Sequence, residues 1–286
     1  MKITQGVRRK LVQLCAFGFT NAHLGNFAKG TLYTGKWKQF CTPGLNCYSC
    51  PAAGLSCPIG ALQAVAGSPR FSVSFYVVGF LLALGVVLGR FICGWLCPFG
   101  LFQELLHKIP SPKFKLPRWC KYIKYAVLAV FVVALPILAV GASGVSDPAF
   151  CKYLCPAGTL EGGLPLLATH PELRAALGWL FDWKVMVAVA VVIGSVLVQR
   201  FFCKLLCPLG AVYAMLNKLS LYQLHVDQNA CVSCKKCAQV CPMDVDPVAQ
   251  PRSAECIRCG KCAAQCPTRA IHLGFTEAKR PGKKIP

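Results

Sequence analysis

Three long apolar runs, separated by loops rich in lysine and arginine, dominate the first 220 residues. Residues 71–92, 123–143 and 184–202 each approach the ~20 apolar residues a helix needs to cross a bilayer. Residues 11–28 form a weaker fourth candidate, interrupted by Asn21, His23 and Asn26, with an interfacial helix as its rival. One such run could be a buried soluble helix; three of this length predict spans. From about residue 221 the apolar runs stop and short cysteine-bearing turns take over.

Basic residues set the expected orientation. Lys2, Arg8, Arg9 and Lys10 precede the first run, and Lys108, Lys113, Lys115, Arg118, Lys121 and Lys124 follow the second. Positive loops stay on the cytoplasmic side. The amino terminus and everything after residue 221 are therefore expected inside, with 29–70 and 144–183 outside. Lys29, Lys36 and Lys38 soften this bias without reversing it. The expected location is a prokaryotic plasma membrane, crossed several times, with membrane lipid as a partner and no cleaved signal peptide.

A repeat underlies the runs. RFICGWLCPFG (90–100) returns as RFFCKLLCPLG (200–210), and SCPIGALQ (56–63) resembles LCPAGTLE (154–161). Each half reads as helix out, outer Cys-Pro-x-Gly, helix in, inner Cys-x3-Cys-Pro. The halves, about 1–110 and 111–220, are expected to be parallel repeats about an axis along the membrane normal.

The strongest chemical signal follows. CVSCKKCAQVCP supplies Cys231, Cys234, Cys237 and Cys241; CIRCGKCAAQCP supplies Cys256, Cys259, Cys262 and Cys266. Both are the C-x2-C-x2-C-x3-C-P run of two-cluster bacterial ferredoxins, in which the fourth cysteine serves the other cluster. One [4Fe–4S] cube is expected on Cys231, Cys234, Cys237 and Cys266, the other on Cys256, Cys259, Cys262 and Cys241. Zinc fits poorly, because structural zinc takes four ligands in paired spacing. The predicted fold is mainly α: a polytopic helical membrane domain of about four spans, residues 1–220, then an α+β double-cluster ferredoxin domain, 221–286.

The inner pairs offer four soft thiols at one depth: Cys93 and Cys97 from one half, Cys203 and Cys207 from the other. Such a set suits a third cube. Pro98 and Pro208 favour the first turn of new short helices, 99–108 and 209–216, leaving the preceding cysteine at a helix amino terminus that stabilises anions. Ordinary buried cysteines would explain one pair but not two matched ones. Outside, Cys41, Cys47, Cys50, Cys57, Cys151 and Cys155 leave several arrangements open. A fourth cube could use Cys57, Cys151 and Cys155 with one other thiol, or Cys41, Cys47, Cys50 and Cys57 alone. Disulfides compete on an oxidising face, and one cube plus one disulfide uses all six. Haem is not expected, since none of the Cys-x-x-Cys pairs is followed by His. Cys15 and Cys120 have no partner motif.

Composition agrees with this picture. The chain is 55% hydrophobic and 14% charged, where soluble domains carry about 25% charged residues. The formal charge of +21 sits in loops interrupted by spans, and anionic clusters offset part of it, so no nucleic acid is expected. Twenty cysteines in short clusters point to metal.

Cys-x3-Cys-Pro pairs after apolar runs, followed by CVSCKKCAQVCPMDV, resemble the NapH/MauN-type membrane polyferredoxins, and the electron-transfer half of the regulator NosR is similar. The resemblance implies electron movement between a quinone pool or cytoplasmic donors and redox proteins on the far side. The cysteine-rich outer segment departs from that pattern and favours a chain of clusters. The leading expectation is thus an electron relay between cytoplasmic donors and an extracytoplasmic or membrane acceptor. A quinol/quinone oxidoreductase subunit is the alternative; Glu104, His107 and Glu161 lie near the motifs but are assigned no catalysis. A redox sensor or metalloprotein maturation factor, with a soft metal on the outer thiols, is a third reading.

Overall fold

Where the apolar runs are longest they form helices with lipid-like exteriors. The computed structural model describes residues 5–67, 74–139 and 147–275. Two of its helices, Trp119–Leu138 and Trp179–Leu197, have the length and apolarity to cross a bilayer, with mean hydropathies of 1.9 and 2.0. Ser74–Val87 is apolar but shorter. The start of the run 71–92 and the end of the run 123–143 lie outside the described residues. The first helix is Gln5–Thr20, earlier than the expected 11–28, because Arg9, Gln13 and Thr20 all face inward.

In that helix the polar side chains point in and the apolar ones point out. Elsewhere the core mixes apolar side chains such as Ile59, Ile92, Phe99, Val132, Phe150 and Phe202 with buried Arg90, Gln103, Lys124, Ser195 and Arg200, while Phe75, Leu138, Met186 and Ile193 are exposed. The buried ionisable groups pair with one another, as such groups do inside membrane proteins.

The Cys-Pro motifs break helices as expected. Proline supplies no N–H, which costs nothing in a first turn, so Pro98–Leu106 and Pro208–Asn217 start afresh with Cys97 and Cys207 as their amino caps. Pro58–Ala66 repeats this behind Cys57. In Trp119–Leu138, Pro136 cannot donate to the carbonyl of Val132, and the preceding Leu128–Ala134 loosens to a π-helix. After Trp179–Leu197 the chain turns through Arg200, at φ 57°, into the short helix Phe201–Leu205.

The carboxy-terminal part is a two-stranded antiparallel sheet, β1 (Tyr222–Val226) with β2 (Ile271–Phe275), in register from Tyr222 opposite Phe275 to Val226 opposite Ile271. Two short helices, Lys236–Gln239 and Lys261–Gln265, sit beside it. This part is locked onto the helices. Glu255 pairs with Arg90 and Lys124. Asn217 donates to the carbonyls of Ser253 at 2.8 Å and Cys256 at 3.0 Å. Arg258 donates to the carbonyl of Leu88 at 2.7 Å, and Trp95 Nε1 to the carbonyl of Arg258 at 3.0 Å.

Candidate iron–sulfur sites

The repeat brings the four inner thiols together. Cys97 lies within electrostatic reach of Cys203 and Cys93, and Cys207 of Cys203, Cys93 and Cys97. All four are buried. Burial pushes the Cys97 thiol up to about 12. Two fully buried guanidinium groups brace the set across the pseudo-two-fold: Arg200 donates to the carbonyl of Cys93 at 2.6 Å, and Arg90 to the carbonyl of Cys203 at 3.5 Å. Arg200 is held by Glu104, which also takes Arg9. Burial raises the Glu104 carboxyl, but Arg200 and Arg9 outweigh it and hold it at about 2. Buried cations around four thiols suit an anionic occupant, which a four-thiolate cluster is.

A second gathering forms from the outer cysteines. Cys47 is within electrostatic reach of Cys57 and Cys151, and Cys155 of Cys151, Cys47 and Cys57. These four line a cavity of about 510 Å³, together with Leu45, Asn46 and Gly158. Burial pushes both Cys47 and Cys57 up to about 12. Asn46 Nδ2 is buried there without a hydrogen-bond partner, a donor free for an acceptor in the cavity. Cys50 instead donates weakly to Asn21 Oδ1 at 3.8 Å, and Cys41 sits in a short parallel bridge to Ser56. All six outer cysteines are free thiols in this structure.

The two gatherings share one local design that spacing alone concealed. Every Cys-Pro-x-Gly motif turns its glycine amide onto its own cysteine sulfur: Gly60 to Cys57, Gly100 to Cys97, Gly158 to Cys155, and Gly210 to Cys207, the last at 3.3 Å. This is the capping geometry of a helix amino terminus. Six residues after each cysteine stands a polar side chain that reaches the other half. Gln103 donates to Cys203 Sγ at 3.1 Å and accepts from the amide of Phe202. Gln63 does the same to Cys151 Sγ at 3.2 Å and the amide of Phe150. Glu161 accepts from the amide of Cys47 at 2.9 Å, and Tyr213 donates to the carbonyl of Pro43 at 3.0 Å. Burial pushes Glu161 up to about 7. Glu104 and Glu161 are thus engaged in the framework of these sites.

In the carboxy-terminal part, Cys241, Cys256, Cys259 and Cys262 lie within electrostatic reach of one another. Cys231, Cys234, Cys237 and Cys266 line a separate cavity of about 180 Å³. Each gathering crosses between the two motifs, as the spacing predicts. Cys234 is exposed, whereas Cys259 and Cys262 are buried. Among the described residues no three Cys, His, Asp or Glu side chains close on a single metal ion. Cys15 is exposed and Cys120 buried, and neither joins a gathering.

Comparison with known proteins bears on these motifs directly. One 4Fe–4S binding domain model matches residues 70–117, 128–165 and 180–223, and a second matches 224–245 and 252–272. The chain thus carries two kinds of 4Fe–4S binding domain. Its relatives include the putative electron transport protein YccM of Escherichia coli, 27% identical over 72% of this chain and 56% of that protein. The regulatory protein NosR of Pseudomonas aeruginosa is 30% identical over 52% of this chain and 19% of its own length. The methylamine utilization ferredoxin-type protein MauN of Methylorubrum extorquens is 27% identical over 65% and 60%. The chain spans less than two thirds of each of these relatives. No solved structure matches it. What the matches and the structure share is 4Fe–4S binding motifs set in a mainly helical fold.

Proposed function

We propose that the chain carries single electrons between the two faces of a membrane, through four [4Fe–4S] clusters held by the four cysteine gatherings. The observation that carries this is the outer gathering, which repeats the inner one in its glycine caps and glutamine donors. Two clusters would sit in the ferredoxin part, one on Cys93, Cys97, Cys203 and Cys207, and one on Cys47, Cys57, Cys151 and Cys155. The clusters supply one-electron redox chemistry; the protein supplies everything around them. Capping amides and Gln63 and Gln103 point N–H groups at ligand sulfurs. Arg90 and Arg200 offset thiolate charge in a dry interior, and burial keeps water out. The two long apolar helices, mostly unburied, support the membrane setting, with the ferredoxin part on the cytoplasmic side by the basic-loop rule.

The partners are redox proteins: a cytoplasmic one-electron donor at the exposed Cys234 side, and an acceptor at the outer face. The test uses proteoliposomes holding the full chain, with an impermeant reductant on one side and an entrapped oxidant on the other. Wild type is expected to discharge the oxidant. Cys93→Ser and Cys47→Ser are each expected to stop the flow while the ferredoxin part still takes up electrons. Undiminished flow in both variants would refute the relay.

A further inference from the structure

A chain of sites works only if neighbours are close, since tunnelling falls steeply with distance and the hydrocarbon core is about 30 Å thick. Two glycines mark where this protein closes its gaps. The loop 42–46, which leads into the outer cysteines, packs against the inner gathering. A Cβ on Gly44 would lie 2.8 Å from Cys97 Cα and 3.2 Å from Pro98 Cδ, so only glycine lets this backbone settle there. The next residue, Leu45, is buried and turns its amide toward the Cys97 thiol. Two residues on is Cys47, a member of the outer gathering. Tyr213, fully buried, anchors the loop through the carbonyl of Pro43. It lies within electrostatic reach of Cys93 and Cys97 and also of Cys57 and Cys41. This loop is pinned at its stem by Thr42 to Ser56 and Ser56 to Phe40 amide–carbonyl bonds of 2.9 Å.

The same device appears at the other junction. Gly94 follows Cys93, and a Cβ there would lie 2.3 Å from the carbonyl oxygen of Ile257. Ile257 stands between Cys256 and Cys259. The Trp95 bond to the Arg258 carbonyl holds this contact shut.

We infer that Gly94 and Gly44 set the two gaps electrons cross, from the ferredoxin part to the inner site and from the inner site to the outer one, with the Leu45 amide bridging the second. This rests on the relay proposed above. Each crossing moves one electron: the site it leaves is oxidised, the next is reduced, and no bond forms or breaks. A one-electron reductant at one end and a one-electron oxidant at the other complete the balance.

The test is run on the full chain with dithionite and ferricyanide as the terminal reagents, and with iron and sulfide counted in every sample. Gly44→Ala is expected to keep the wild-type iron content but to slow electron arrival at the outer site several-fold, leaving exchange between the ferredoxin part and the inner site at its wild-type rate. Gly94→Ala is expected to slow that earlier exchange. Gly79→Ala, whose added Cβ meets nothing within 4 Å, is expected to change neither. Wild-type rates in both loaded variants would overturn the inference while leaving the cluster count, and so the relay, intact. If a variant sheds iron, the wild-type protein decides. Mutual broadening of the inner and outer EPR signals on full reduction supports the short gap; two magnetically isolated signals overturn it.

Discussion

Glu104→Gln is the most informative single change in the helical part. The Glu104 carboxylate joins three chain segments: it accepts from Arg9 of the first helix at 2.9 Å and from Arg200 Nε and Nη2 of the second repeat at 2.9 and 2.7 Å. Both guanidinium groups are buried, Arg9 to 2% and Arg200 to 0% exposure. Replacing the carboxylate by an amide leaves two buried guanidinium groups without their carboxylate partner. Removing one partner of a buried ion pair costs about 3–5 kcal/mol. Retained hydrogen bonds to the amide oxygen bring the expected loss toward the lower end, and the second orphaned cation raises it. Because Arg200 also holds the Cys93 carbonyl, the inner site is expected to lose its cofactor first. The assay is guanidinium unfolding of the detergent-solubilised protein, followed by the visible absorbance of the clusters and by intrinsic fluorescence.

Acid gives an independent reading of the same residue. The folded carboxyl is held at about 2, below the ~4.3 of an unfolded glutamate. Folding therefore favours its ionised form. The stability this contributes is fully present above about pH 4.3 and is lost as pH falls toward 2. Apoprotein of the wild type should show this acid-dependent loss, and apoprotein of Glu104→Gln should lack its share of it. The exposed pair Lys152–Asp147 serves as the control, and Lys152→Ala should leave the midpoint where it was. A Glu104→Gln midpoint equal to wild type, with unchanged acid dependence, would refute the reasoning.

Other consequences are equally direct. Gln103→Leu removes an N–H donor from Cys203 Sγ, and Gln63→Leu one from Cys151 Sγ. Hydrogen bonds to ligand sulfurs stabilise the reduced cluster, so potentiometric EPR should show the inner and outer midpoints, respectively, falling. Cys47→Ser should remove one cube from the iron count, whereas Cys41→Ser and Cys50→Ser should leave it unchanged; loss of iron in either of the latter would reassign the outer ligands. Glu255→Gln strands the buried Arg90 and Lys124, again about 3–5 kcal/mol. Limited proteolysis should then cut near residue 221 and release the ferredoxin part faster than in wild type.

The two gatherings of the ferredoxin cysteines were legible because their thiols come from two tight, local loops of characteristic spacing. The inner set was legible because the second half copies the first at an offset of 110, from Arg90 to Arg200. In the outer set Cys57, Cys151 and Cys155 were legible as one option, but not which thiol joins them. Four residues before Cys57, where a copied motif would put a cysteine, stands Ala53. Cys47 takes that place through a loop whose path only folding defines. Gln63 and Gln103 were written in the sequence as Cys-Pro-x-Gly-x-x-Gln, but their meaning depends on which half they reach. The first helix does not coincide with the apolar run 11–28, because Gln5–Thr20 turns Arg9 and Gln13 inward and its apolar side out.

The central claim is a count, and counting tests it most directly. Anaerobically purified protein should contain four cubes, about sixteen iron atoms and as many sulfides per chain. Cys93→Ser combined with Cys203→Ser should lower the count to three cubes and remove one EPR signal. Two cubes in the wild type, unchanged by that double substitution, would contradict the account.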